Sequence, residues 1–214
     1  MRNRRHVLHL ITTGRQELEE VEALLAKVPE GSLDALHIRE KHRGAKEIVH
    51  WYERLHSLLP WAPIYINDRL DAAAAVGSPG VQLGYTSLGP AAARKLMGER
   101  TRIGVSVHSA LEAVKAAEEG ADYVLFGHVY LTGSKEGLAP RGTEALAEVT
   151  NASPLPVIAI GGITPDNVRE VLAAGCAGVA VLSGFFGQKD PVGQLLRYQE
   201  ELGRRASTPR RLSQ

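Results

Sequence analysis

The chain has 214 residues, 44% of them hydrophobic, which is enough for one sizeable core and within the range of single-domain α/β barrels. Its 25 Lys and Arg stand against 24 Asp and Glu, so the net charge of +1 offers no global field to recruit nucleic acid or an acidic membrane, and a small-molecule partner is the expectation. The single cysteine, Cys176, excludes an intramolecular disulfide and a cysteine metal cluster, and its setting in AAGCAGVAV reads as packing.

The opening MRNRRHVLHLITTG has the basic start of a signal peptide, but its apolar run is short, is interrupted by His9 and has no small-residue cleavage site, so it reads as a first strand. No stretch reaches the roughly 20 apolar residues of a membrane span, and a cytoplasmic location is expected. Short β-branched runs follow at 6–12, 35–40, 63–67, 80–84, 102–107, 123–127, 156–161 and 178–183, eight predicted strands in all. Helical spacing fills stretches between them, as at 17–28, 110–120, 143–150 and 165–175. Gly120 and Gly175 stand at helix stops, and Pro165 stands where a first helical turn is expected. Strands alternating with helices imply parallel pairing through right-handed crossovers, and eight such units close into a (β/α)8 TIM barrel, a single domain over 1–203. An open doubly wound sheet would want a glycine-rich turn after the first strand, where ITTGRQELEE has one glycine. Residues 204–214, RRASTPRRLSQ, read as a basic, frayed tail without the interleaved aromatics of a nucleic-acid contact.

A barrel of this kind builds its active site from the loops at the C-terminal ends of its strands. After the second strand, Arg39 and Lys41 offer two cations for a carboxylate or pyrophosphate, or else a solvated rim partnered by Glu40 and His42. After the third, Asn67 and Asp68 offer ligand oxygens, a thin magnesium site, with pairing of Asp68 to Arg69 equally open. His108 ends the fifth strand and reads as a cap or as a hydrogen-bond partner of a neighbouring loop, with Ser106 on the same strand face as a candidate ligand contact. His128 opens a long polar loop after the sixth strand carrying Thr132, Ser134, Lys135 and Arg141, and its imidazole suits either proton transfer or the satisfaction of loop carbonyls. Gly161 and Gly162 after the seventh strand, with Ser183 and Gly184 opening a short helix after the eighth, predict a phosphate pocket of main-chain N–H groups. The histidines at 6, 9, 37, 42, 50 and 56 need no special account on this reading.

In this order, HIREK, INDRLDAAAAVGSPGVQLG, IGVSVHSALEAVKAAEEGADYVLFGHV, TGSK, PVIAIGGITPDNV and GVAVLSG resemble the thiamine phosphate synthase and thiazole tautomerase (TenI) superfamily, over about residues 7 to 202. The resemblance implies a (β/α)8 barrel acting on a phosphorylated thiazole, usually as a homodimer. Synthases of this superfamily usually carry an acid after the fourth strand, where this chain has Tyr85, Thr86 and Ser87. They usually read GPV where it has GHV at 127–129, and place glutamine where it has His37. These departures favour the tautomerase branch, an isomerase that aromatises a carboxylated thiazole phosphate. The resemblance then gives His128 the proton transfer, Arg39 the substrate carboxylate with Lys41 or Lys135 beside it, and the amides of Gly162, Ser183 and Gly184 the phosphate. Neither metal nor organic cofactor is expected. The alternatives are a magnesium-dependent thiamine phosphate synthase, and a non-enzymatic barrel that binds a thiamine precursor and regulates a partner.

Overall fold

The computed structural model describes residues 6–135 and 137–203. The basic tail expected at 204–214 lies outside the described residues. Eight strands, β1 (Val7–Ile11), β2 (Ala35–Ile38), β3 (Ile64–Asn67), β4 (Gly80–Leu83), β5 (Arg102–Val107), β6 (Tyr123–Gly127), β7 (Val157–Ile160) and β8 (Gly178–Val181), each pair in parallel with the next. β8 returns to β1 with Val7 opposite Gly178 and Leu10 opposite Val181, which closes the TIM barrel expected from the alternation.

Seven helices cross back over the outside: α1 (Leu18–Leu25), α2 (Ala45–Leu58), α3 (Leu70–Val76), α4 (Pro90–Met97), α5 (Ala110–Glu118), α6 (Gly142–Ala152) and α7 (Val168–Ala173). After β8 come a single-turn helix, α8 (Ser183–Phe186), and then α9 (Pro191–Glu201). α2 shows why these segments lie flat on the sheet. Its Ile48, Trp51, Tyr52 and Leu55 recur at three and four residues and are all buried. No described helix is long and apolar enough to cross a membrane.

Strand residues alternate between two cores. Leu8, Leu36, Ile38, Ile64, Val81, Ile103 and Val179 pack outward under the helices, while Ile11, Ala35, Tyr65, Tyr123, Leu125, Ile158 and Ala180 fill the barrel interior. Large residues meet absent side chains across neighbouring strands. A Cβ on Gly80 would fall 2.7 Å from Tyr65 Cγ, and one on Gly104 would strike the ring end of Tyr123, so the two tyrosines occupy the space that these glycines leave. Cys176 is buried with its thiol on the Val171 carbonyl at 3.4 Å, and burial pushes it up to about 11, as a packed thiol requires.

The strands end earlier than the sequence runs suggest. β2 stops at Ile38, β7 at Ile160 and β8 at Val181, which leaves Arg39, Lys41, Gly161, Gly162 and Ser183 in the loops of the mouth. Pro165 stands in a turn that leads into α7, as expected: the Thr164 carbonyl accepts the N–H groups of Asn167 at 3.2 Å and Val168 at 3.1 Å, and the regular helix follows from Val168. The side chain of Asn167 braces this turn, its Oδ1 accepting the Thr164 N–H at 2.8 Å and its Nδ2 donating to the Gly162 carbonyl at 3.1 Å.

Candidate functional site

A cavity of about 450 Å³ fills the C-terminal mouth of the barrel. His128 and all ten binding residues expected from the sequence line it: Arg39 and Lys41 after β2, Asn67 at the end of β3, Ser106 on β5, Thr132 and Lys135 after β6, Gly161 and Gly162 after β7, and Ser183 and Gly184 in α8.

The wall formed by β6 to β8 is mostly main chain. Gly161 and Gly162 have φ of 100° and 64°, in the left-handed region that favours glycine. The chain after β6 runs alongside them, with Val129 N–H donating to the Ile160 carbonyl and Tyr130 N–H to the Gly161 carbonyl, both at 3.0 Å. Next to this ridge, the first intrahelical donor of α8 is Phe185 N–H, which bonds the Leu182 carbonyl at 3.0 Å. The N–H groups of Ser183 and Gly184 precede it and point out of the first turn. Tyr198 Oη holds the Ile163 carbonyl from behind at 2.6 Å.

His128 belongs to this wall and is 8% exposed. Its Nε2 donates to the Leu138 carbonyl at 3.3 Å, its own carbonyl accepts the Arg141 N–H at 3.0 Å, and Arg141 Nε donates to the Gly127 carbonyl at 3.2 Å. The imidazole therefore clasps the far end of the loop that carries Thr132 and Lys135. Of the two roles that the sequence left open for it, the satisfaction of a loop carbonyl is the one visible in the hydrogen bonds.

The opposite wall, from β2 to β5, is made of side chains. Arg39 is anchored by its N–H on Thr12 Oγ1 at 2.9 Å. Glu40, one of the expected rim partners, is buried and lies 3.6 Å from Arg43 Nε. Asp68 has φ of 62°, and its Oδ1 accepts the Gly84 N–H at 3.1 Å and the Ser87 hydroxyl at 2.5 Å. Arg69 turns away from it to Asp71 at 2.6 Å, so the pairing of Asp68 with Arg69 does not form. Gln82 Nε2 donates to Ser106 Oγ at 3.1 Å, while its Oε1 is buried without a hydrogen-bond partner among the described residues. His108 does not take the capping role: Ser109 caps α5, its Oγ accepting the Glu112 N–H at 3.2 Å, while the His108 N–H donates to Glu112 Oε2 at 2.7 Å.

Sequence reasoning gave His9 no role and took His37 only as a replacement for a synthase glutamine. Both lie in the barrel interior beneath this wall, with His9 Nδ1 and His37 Nε2 2.9 Å apart and His37 Nδ1 3.3 Å from Asn67 Oδ1. His37 is fully buried. Desolvation pushes its imidazole down to about 4, against a smaller upward pull from the Asn67 hydrogen bond, so it is neutral at pH 7. The signal was present in the period of two, which turns residues 9 and 37 inward with their strand neighbours.

Asp68 is the one carboxylate lining the cavity among the described residues, and no group of three or more His, Cys, Asp or Glu that could hold a metal ion occurs among them. This donor set does not make a resident metal cage. It does fit a magnesium ion shared with a substrate's phosphates, since such ions are commonly held through one or two carboxylates plus phosphate oxygens. Asp68 presents an oriented, hard oxygen donor for that purpose, fixed by Gly84 and Ser87.

A family model described as thiamine monophosphate synthase matches residues 8–185. The chain is 40% identical over 167 residues to a thiamine-phosphate synthase of Chlorobium phaeobacteroides, covering 77% of this chain and 81% of the relative. It is 38% identical to a thiamine-phosphate synthase of Moorella thermoacetica, covering 89% of this chain and 90% of the relative. Among solved structures, a thiamine phosphate pyrophosphorylase from Pyrococcus furiosus superposes with a TM-score of 0.81 at 32% identity, covering 94% of this chain and 96% of that one. These likenesses overturn the expectation of a thiazole tautomerase and of isomerase chemistry at His128: the relatives are named for synthase activity across nearly the whole chain, whereas the tautomerase expectation rested on a few loop positions. The expectation of a metal-free reaction followed from the tautomerase reading and loses that support.

Proposed function

This chain belongs to the thiamine monophosphate synthase family, and on that premise we propose that it is a transferase joining a phosphorylated thiazole to a pyrimidine delivered as its pyrophosphate, with release of pyrophosphate. The observation that carries the reading is a single cavity with two unlike anion-facing walls: Gly161, Gly162, Ser183 and Gly184 on one side, Arg39, Lys41 and Asp68 on the other. A reaction that brings together one phosphate ester and one pyrophosphate needs two such places.

In this reading the main-chain wall takes the phosphate of the thiazole. The N–H groups of Ser183 and Gly184 donate to its oxygens, and the absence of side chains at Gly161 and Gly162 lets the phosphate reach the backbone. The side-chain wall takes the pyrophosphate. Arg39 offers a fork of N–H donors matched to phosphate oxygens, and Lys41, with Lys135 from the facing loop, adds positive charge. Asp68 would hold magnesium together with the pyrophosphate, and the bound ion would neutralise charge on the leaving group. Between the walls the alkyl carbon exchanges its bond to the pyrophosphate oxygen for a bond to the thiazole, and holding both reactants in one mouth replaces a bimolecular encounter. His128 serves as the strut of the loop that brings Thr132 and Lys135 to the cavity.

The test is pyrophosphate release by the purified chain with both substrates and magnesium, followed beside a control lacking the thiazole phosphate. Release that depends on both substrates is the expected result. No release above the control removes the synthase reading.

A further inference from the structure

Below the side-chain wall, three polar side chains form a line through the barrel interior. His9 comes from β1, His37 from β2 and Asn67 from β3, strands joined in register with Ile11 opposite His37 and His37 opposite Tyr65. The rings of Tyr65 and Tyr123 close on them edge-on, at 6.1 Å and 5.9 Å from His9, and Tyr65 lies 5.2 Å from His37. Each link of the line has a direction. Asn67 Oδ1 can only accept, so His37 Nδ1 carries the proton at the 3.3 Å contact. A neutral imidazole has one N–H, so His37 Nε2 is the acceptor at the 2.9 Å contact and His9 Nδ1 the donor.

The consequence falls on Asn67, which lines the cavity. A carboxamide can present either its oxygen or its NH2 to a ligand, and the two faces have opposite polarity. With Oδ1 engaged by His37, what Asn67 offers the cavity is its NH2. We propose that His9 and His37 are a positioning pair that fixes the carboxamide of Asn67 with its NH2 group toward the ligand, setting it as a donor for an anionic oxygen. The inference rests on the synthase reading only for the identity of that oxygen, a phosphoryl oxygen of the pyrophosphate beside Arg39 and Asp68. An Asn67 turned the other way would aim its carbonyl at that oxygen and repel it. Burial holds His37 neutral and leaves a single donor on the ring, so the line keeps one direction over the whole working pH range.

The tautomers decide the proposal directly. In the ¹⁵N spectrum of the full-length wild-type chain at pH 7, both His9 and His37 should be protonated at Nδ1, with His37 Nε2 bare. A proton on His37 Nε2 overturns the proposal. The functional arm measures binding of inorganic pyrophosphate in the presence of magnesium to the wild type, His37→Leu and His37→Gln. Leucine fills space and breaks both links, and a loss of about tenfold in pyrophosphate affinity is expected, roughly the worth of one hydrogen bond to a charged group. Glutamine can accept from His9 and donate to Asn67, so His37→Gln should stay within about threefold of wild type. In turnover, His37→Leu should raise KM for the pyrimidine pyrophosphate more than it lowers kcat. Equal affinities in the leucine and glutamine variants mean that His37 only packs, and the positioning role is lost. Should His37→Leu fail to fold, the tautomer spectrum of the wild type still decides. A wild-type chain that ignores pyrophosphate altogether sinks the synthase reading, and the tautomer spectrum then judges the pair on its own.

Discussion

The two walls of the mouth are built on opposite plans. Between β6 and β8 the ligand-facing groups are mostly peptide N–H groups, joined by Thr132 and Lys135 from the loop after β6, and the interior below them is largely apolar, with Leu125, Ile158 and Ala180 in one buried cluster beside the ring of Tyr123. Between β2 and β5 the ligand-facing groups are Arg39, Lys41, Asn67, Asp68 and Ser106, and the interior below carries His9, His37 and Gln82. A main-chain wall is fixed once the backbone is fixed, so an apolar floor is enough to support it. A wall of side chains has rotamers and amide flips to settle, and a second layer of polar groups settles them.

If that contrast is right, the main-chain wall should be the more brittle. Gly161→Ala puts a Cβ 2.7 Å from His128 Cα at a φ of 100°, and Gly162→Ala puts one 2.7 Å from Tyr130 Cβ and 2.9 Å from Tyr130 C at a φ of 64°. The neighbours are backbone or the first side-chain atom, which cannot swing aside. Each variant should lose about 2–4 kcal/mol in chemical denaturation and bind the phosphorylated thiazole about a hundredfold more weakly by calorimetry. Gly77→Ala, with a similar φ of 63° and nothing within 4 Å of the added Cβ, is the control and should cost only about 1 kcal/mol. Equal losses at 77 and 162 would show that strain alone matters and that close approach at the mouth does not.

The second way to separate the walls is at Asp68. Asparagine tolerates the left-handed region almost as aspartate does and keeps an oxygen for Gly84 and Ser87, so Asp68→Asn removes charge and little else. Turnover should fall by about 10² and need more magnesium to saturate, while affinity for the phosphorylated thiazole stays within about twofold. Parallel losses at both substrates would mean that the two walls are not independent.

The same contrast explains what the sequence discloses. The barrel is legible because its eight β-branched runs and the helical spacing between them are local patterns, and nearly every strand core begins and ends within one or two residues of the expected run. The main-chain wall is legible for a similar reason: paired glycines after β7 and a short segment after β8 announce a backbone that must come close to something. At α7 the proline marks the turn that leads into the helix, while the point at which the regular helix starts, Val168, is set by the bonds of Thr164 and Asn167, which no local pattern announces. The side-chain wall is half legible. Arg39, Lys41 and Asn67 stand at strand ends, but the direction of Asn67 depends on His9 and His37, which are 58 and 30 positions away in the chain and meet it only when the barrel closes. The family's chemistry was misread for a related reason. His128 in GHV reads as a proton carrier by its chemistry, yet it makes a strut to Leu138 that no local spacing announces.

The smallest effect tests whether the second layer is as dry as the side-chain wall requires. His37 has a folded-state value of about 4 against 6.5 for an ordinary histidine, so the folded chain binds fewer protons than the unfolded chain between these values. Its contribution to stability is therefore complete above about pH 6.5 and is lost as the pH falls toward 4. At about 1.4 kcal/mol per pH unit, the gap is worth about 3 kcal/mol in total. Urea denaturation of the wild type and His37→Gln between pH 8 and 4 isolates this contribution, because the other titrating groups are common to both chains. The stability difference should move toward the glutamine variant by about 3 kcal/mol over that interval, with most of the change between pH 6 and 4.5. A difference that stays flat means His37 takes up its proton in the folded barrel as easily as in the unfolded chain. Its ring would then carry two N–H groups at mildly acidic pH, His9 would have to turn its own donor away, and the wall above would have no reason to keep Asn67 in one orientation.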